Sequence, residues 1–182
     1  MPIILGIDPG SNLLGFAFLD CPSKGKPRLI RMDVIDLRGE DQQAEKLKQI
    51  FEDLQTLIKL YEPQQAAIEA PFYGKDVQAM LKLGRAQGVA MLAVACAGLS
   101  IVEYSPRSVK KAVTGKGNAT KEQVARMLQH MVEGDLSTTY LDASDALGVA
   151  YCHYLNTQKP QLGGKKYDSW SSFVKDNPNR KN

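Results

Sequence analysis

Four acidic residues occupy places where a carboxylate is costly. Asp8 closes the apolar run Ile3-Ile4-Leu5-Gly6-Ile7, and Glu69 closes Ala66-Ala67-Ile68. Asp142 and Asp145 stand three residues apart inside an apolar helical pattern, so they share one helix face. An ionised carboxyl taken out of water is unfavourable unless a cation or hydrogen bonds satisfy it. Convergence of all four on hard divalent metal accounts for every one of them. A carboxylate set with no His or Cys at ligand spacing selects Mg²⁺, with Mn²⁺ as the alternative, over zinc. Two such ions ~4 Å apart activate a water and stabilise the leaving oxygen when a phosphodiester is cut. Singly, the residues have plainer uses. Asp8 before Pro9-Gly10 can open a turn, and Asp142 can cap a helix. Asp145, a turn further in, cannot also be a cap. Glu69 has no such use at the end of a strand buried on both sides. Together the four point to a metal site.

The elements that must position these acids read as strands at Ile3–Asp8, 14–19, 28–37, Gln65–Glu69 and Ile101–Tyr104. The short connection Pro9-Gly10-Ser11 makes the first two an antiparallel hairpin. Residues 41–61 carry Leu47, Ile50, Leu54, Leu57 and Ile58 at helical spacing, with Pro63 as the stop. A long Ala-rich helix spans 77–98 and a short one follows Pro106. Gly115-Lys116-Gly117-Asn118 reads as a flexible loop. Another helix begins after Thr120, whose spacing to Gln123 resembles a capping box. The last regular helix covers 141–155. The order gives an α/β domain, a mixed five-stranded sheet with helices on both faces. Residues 1–158 form that domain. Residues 159–182 form a basic tail, in which Tyr167, Trp170 and Phe173 recur on one side of a short helix that could dock on the body.

The net charge of +3 says little, but its distribution says more. Residues 40–62 sum to −3, whereas residues 105–126 carry Arg107, Lys110, Lys111, Lys116, Lys121 and Arg126 against Glu122 alone, a net +5. That asymmetry fits a surface facing a polyanion. Cys21, Cys96 and Cys152 are far apart and form no Cys-x-x-Cys, which suits free thiols in a reducing cytoplasm. No secretory signal is visible, and the Ala-rich run after Gly88 is too short to span a bilayer, so no membrane partner is expected. His153 lies eleven residues after Asp142 on one helix, a rise of ~16 Å that rules out a shared metal. It reads as a helix-end histidine. Phe72 and Tyr73, between Pro71 and Gly74, sit on a tight excursion beside Glu69, where an aromatic ring can stack on or wedge between bases. Gly84 and Gly88 in a helix interior cost ~1 kcal/mol each relative to Ala. Close approach of another backbone, from this chain's own sheet or from a second copy, would offset that.

Four of these segments, in order and at matching spacing, resemble the RuvC family of Holliday-junction resolvases, which have the ribonuclease H-like fold. They are Gly6-Ile7-Asp8-Pro9-Gly10-Ser11, Ile68-Glu69-x-x-Phe72, Leu81 through Gly88, and Asp142-Ala143-Ser144-Asp145-Ala146. The resemblance runs from Ile3 to about His153. It implies that Asp8, Glu69, Asp142 and Asp145 are the catalytic, metal-binding acids, with Asp8 shared between two ions at the end of the central strand. It implies that Phe72 pushes into the open junction, and that Lys110 and Lys121 contact the DNA backbone or assist catalysis. With Tyr73, Lys75, Arg107 and Lys116 from the adjoining segments, these make the candidate DNA-binding set. The family pairs as a homodimer through the long helix that begins here near Val77, cuts two opposing strands symmetrically, and works with RuvA and RuvB. Asp76 stands where the family usually has Asn, and Arg85 and Gln87 follow an order that varies among members.

The expected activity is metal-dependent hydrolysis of four-way DNA junctions during recombination and repair, leaving 5′-phosphate and 3′-hydroxyl ends. Two alternatives share part of the pattern. One is a ribonuclease H-like nuclease acting on another branched or hybrid nucleic acid. The other is an actin-like nucleotide-binding protein, which also opens with Gly-Ile-Asp-x-Gly but needs a second such domain.

Overall fold

A computed structural model describes residues 2–71, 76–138, 140–158 and 170–176. In chain order the elements are β1 (Ile3–Asp8), β2 (Leu13–Asp20), β3 (Arg28–Asp36), α1 (Gln43–Tyr61), β4 (Gln65–Glu69), α2 (Val77–Cys96), β5 (Ile101–Tyr104), α3 (Pro106–Thr114), α4 (Lys121–Met131), α5 (Leu141–Gln158) and α6 (Trp170–Asp176). The sheet order is β3-β2-β1-β4-β5, so β1 is central. β1 pairs antiparallel with β2 and parallel with β4, which makes the sheet mixed. The expected α/β architecture is therefore present, and strand ends differ from the sequence reading by about a residue.

Alternation along β1 sends Leu5 and Ile7 to one face and Ile4 to the other. On the first face, Ile50, Leu54 and Ile58 of α1 and Ala86, Ala90, Ala93 and Val94 of α2 close a core with Phe16 and Phe18. On the second, Ile4, Ala17 and Leu19 meet Leu128 of α4 and Ala146, Leu147 and Ala150 of α5. α5 is buried on nearly every side from Ala143 to His153, as suits a helix apolar all round. It runs to Gln158, so His153 is not at its end. The imidazole is buried, its Nδ1 lies 2.9 Å from the Tyr104 hydroxyl, and burial holds its pKa below the usual value.

α2 is long and apolar enough to cross a membrane by those criteria alone, but its Ala86-Ala90-Ala93 face is packed into the core. Asp76 caps it, the carboxylate accepting from the Ala79 N–H at 3.1 Å. Gly84 and Gly88 face open space rather than the sheet, so packing within the chain does not explain them. In the tail, α6 contains Trp170 and Phe173 as expected; Tyr167 lies outside the described residues.

Candidate active site

β1 and β4 run side by side in the same direction, with Ile7 paired to Ile68. Asp8 and Glu69 are the next residues on each, so they emerge together at one end of the sheet. The other two acids arrive from α5, which lies directly on strand backbone. A Cβ built on Gly15 would stand 2.1 Å from the Asp142 carbonyl oxygen, and one on Gly6 would stand 2.2 Å from that of Ala146. Only glycine permits this approach. It brings carboxylate oxygens of Asp8, Asp142 and Asp145 within 4.8 Å of one another. Glu69 stands outside this trio but lines the same cleft of about 730 Å³, together with Asp8, Asp145, Arg107, Lys110 and Lys121.

The basic face comes from α3 and α4. Ser105 caps α3, accepting from the Ser108 N–H at 3.1 Å. Thr120 and Gln123 form the expected capping box, with bonds of 3.3 and 3.0 Å, and this places Lys121 at the first position of α4. The Lys121 ammonium bonds to Asp145 and lies 4.0 Å from Asp142. Burial lowers its pKa, but the bond to Asp145 and the fields of Asp145, Asp8 and Asp142 prevail and raise it. The loop between α3 and α4 is tied to the end of α3 by Thr114. The Thr114 hydroxyl lies 3.0 Å from the Lys116 carbonyl and accepts from the Lys116 N–H at 3.1 Å. Of the remaining candidates, Lys116 is exposed and does not line the cleft. Phe72, Tyr73 and Lys75 lie outside the described residues.

Burial and crowding perturb the titration of Asp8 and Glu69. Desolvation, then the fields of Glu69 and Asp145, raises Asp8 well above its usual pKa. Desolvation, then Asp145, raises Glu69 to about 7, with Lys121 and Lys110 acting the other way. Such a donor set fits a hard divalent cation, because binding one removes both the repulsion and the desolvation penalty. A stability prediction follows for the metal-free protein. Folded Glu69 keeps its proton while the unfolded chain loses it from about pH 4.5 upward, so stability falls as pH rises to about 7 and is level above. The loss is on the order of 3 kcal/mol for Glu69 alone. Melting in chelator between pH 4.5 and 8 should show this slope, and Glu69→Gln should flatten it. A slope of the opposite sign would mean that the carboxylates are satisfied without a cation.

Sequence reasoning missed two things here. Gly15 is one, although a glycine inside a strand is itself a sign of close backbone approach. The commitment of Lys121 to Asp145, 24 residues away, has no signal in local pattern.

The mixed sheet, with acids gathered where its central strand ends, defines a ribonuclease H-like nuclease fold. The family model described as Crossover junction endodeoxyribonuclease RuvC matches residues 4–153. A relative of that name from Christiangramia forsetii is 49% identical over 98% of this chain and 92% of its own length. One from Bacteroides fragilis is 47% identical over 98% and 95%. The structure of Thermus thermophilus RuvC in complex with a Holliday junction substrate superposes with a TM-score of 0.78 at 28% identity, covering 86% of this chain and 95% of that one. The chain belongs to the RuvC family of crossover junction endodeoxyribonucleases.

Proposed function

We propose that this structure-selective endonuclease resolves Holliday junctions with Asp8, Glu69, Asp142 and Asp145 as its metal-holding catalytic acids and Mg²⁺ as its metal. The observation that carries this reading is the oxygen trio of Asp8, Asp142 and Asp145, with Glu69 in the same cleft. Asp8 feels the charges of Glu69, Asp145 and Asp142 alike, so it would be the ligand common to two ions, with Mn²⁺ as a substitute for Mg²⁺. Bound metal supplies a more acidic water and charge neutralisation at the phosphate. The chain's own groups do the rest. The acids orient the attacking water toward the cleft, while Lys110, Lys121 and Arg107 draw the phosphodiester backbone in. The products are a 5′-phosphate and a 3′-hydroxyl.

The partner is a second copy, paired through α2. Val77, Leu81 and Leu92 are exposed large apolar residues at 67, 50 and 53%. With Gly84 and Gly88 they form one stripe opposite the buried Ala86-Ala90-Ala93 face. Small residues flanked by exposed apolar ones suit close helix pairing, and two copies place two sites on opposing strands. Further family expectations are a RuvA–RuvB branch-migration partner, a cytoplasmic location, wedge insertion by Phe72 beside Tyr73 and Lys75, and a nuclease domain of residues 1–158 carrying the tail 159–182.

The deciding assay compares cleavage of a four-way junction, a fork and an RNA–DNA hybrid with and without Mg²⁺. Symmetric incision of the junction alone supports the reading, and preference for the hybrid overturns it. Salt dependence resolves the lysines. Each phosphate contact contributes ~0.9 to the slope of log affinity against log salt. Lys110→Ala should flatten the slope by about that much in chelator or in divalent cation. Lys121 is held by Asp145, so Lys121→Ala should flatten it only with divalent cation present. Unchanged slopes would assign both lysines roles other than phosphate binding.

A further inference from the structure

The loop between α3 and α4 holds Arg107 in a particular way. Gly115, at φ 76°, ends α3, and Thr114 ties the backbone of Lys116 as described above. The loop then passes under Arg107. A Cβ on Gly117 would lie 2.7 Å from Arg107 Cγ and 3.2 Å from its Nε. Gly117 does not adopt the left-handed backbone that favours glycine. What the position requires is room, and the room is filled by the arginine stem. Gly117 and Arg107 both line the cleft that contains Asp8, Glu69 and Asp145.

The three basic side chains of that cleft differ in their commitments. Lys121 is bonded to Asp145. Lys110 acts on Glu69 through its field. Arg107 is exposed and forms no ion pair with any described residue. It also sits in the first turn of α3, where no acid accompanies it and the helix dipole opposes a cation. Intramolecular electrostatics therefore do not hold it there, whereas packing on Gly117 does. A guanidinium presents a planar fork of donors that meets two phosphate oxygens at once, and a lysine cannot reproduce it.

We propose that Arg107 clamps a phosphate next to the one being cut, and that Gly117 is the shelf that aims the fork. Arg107 is then a positioning residue of the substrate strand and not merely one charge of a basic patch. This rests on the junction-cleaving reading above.

The test uses full-length protein, Mg²⁺ and a labelled four-way junction, and reads single-turnover cleavage at saturating protein together with the salt slope of binding. Arg107→Lys keeps the charge and loses the fork. Gly117→Ala keeps both and displaces the stem. Each should slow cleavage at saturation by about tenfold, one good contact's worth of positioning, while leaving the salt slope unchanged because the count of charges is unchanged. The double variant should be no slower than the slower single variant, since both remove one interaction. Lys59→Ala, on α1 and outside the cleft, removes a charge elsewhere and should not alter the saturated rate. Arg107→Lys cleaving at the parental rate overturns the proposal even if Gly117→Ala fails to fold. Losses that multiply in the double variant overturn it as well. If the unaltered protein does not cut junctions, the functional reading has failed. If it cuts and these variants cut equally well, only the clamp has failed.

Discussion

Asp8→Asn should reduce Mg²⁺-dependent junction cleavage by ~10³-fold or more while raising the melting temperature of the metal-free protein. The two effects have one cause. Asp8 is pushed toward its neutral form by burial and by Glu69, Asp145 and Asp142, so a neutral isostere relieves the folded state. The same change removes one of the proposed metal-holding acids, and a bound metal would contribute several kcal/mol of transition-state stabilisation, each 1.36 kcal/mol being tenfold in rate. Glu69→Gln should behave likewise. Asp142→Asn and Asp145→Asn should be equally inactive, but Asp145→Asn should gain no stability, because it also removes the acceptor of the Lys121 ammonium. Junction binding in chelator should be unimpaired in all four and tighter in some, as a negative charge has left a polyanion site. Melting curves, junction titrations and cleavage time courses on one preparation of each variant decide the matter. Full cleavage by any two of them would dissolve the four-acid site. A variant inactive because it is unfolded would show a lower melting temperature, the reverse of what Asp8 predicts.

The acids were legible in the sequence because each breaks a pattern. Asp8 and Glu69 interrupt apolar runs that continue to their very edge, and the three-residue spacing of Asp142 and Asp145 fixes a common face on a helix with no solvent side. Strand and helix identities were legible for the same reason, since periodicity reports how a segment is buried. Periodicity does not report what a segment is buried against. His153 looked like the end of a helix because nothing local shows that Tyr104, 49 residues earlier, lies beside it. The composition of the Gly115–Asn118 stretch does not show its contacts with Thr114 and with the stem of Arg107. Gly84 and Gly88 were recognised as needing a partner, and the fold narrows the choice by turning them away from the sheet.

Gly15→Ala should be severely damaging, though it touches neither charge nor cleft. Gly15 pairs with Asp8 across the hairpin, and its added methyl would stand 2.1 Å from the carbonyl oxygen of Asp142 and 2.6 Å from the carbonyl carbon. Both contacts are backbone, so no rotamer change can relieve them. Either β2 retreats or the first turn of α5 lifts by more than ~1 Å to reach ordinary contact. Over-packing of this kind costs about 1–3 kcal/mol, and with rigid elements on both sides the upper end applies. In a chain of this size that lowers the melting temperature by roughly 5–10 °C. The larger effect is on chemistry. The turn that moves carries Asp142 and leads directly into Asp145, metal ligation tolerates distance errors of ~0.2 Å, and a 1 Å misplacement costs ~10²-fold in rate. Cleavage should therefore fall by ~10²-fold or more at temperatures where the variant is fully folded, and excess Mn²⁺ should restore little of it. Gly39→Ala, where a methyl meets nothing within 4 Å, is the matched control and should cleave normally. If Gly15→Ala melts with the parent and cuts at the parental rate, α5 is not seated on β2, and the trio of oxygens over Asp8 must be held by something else.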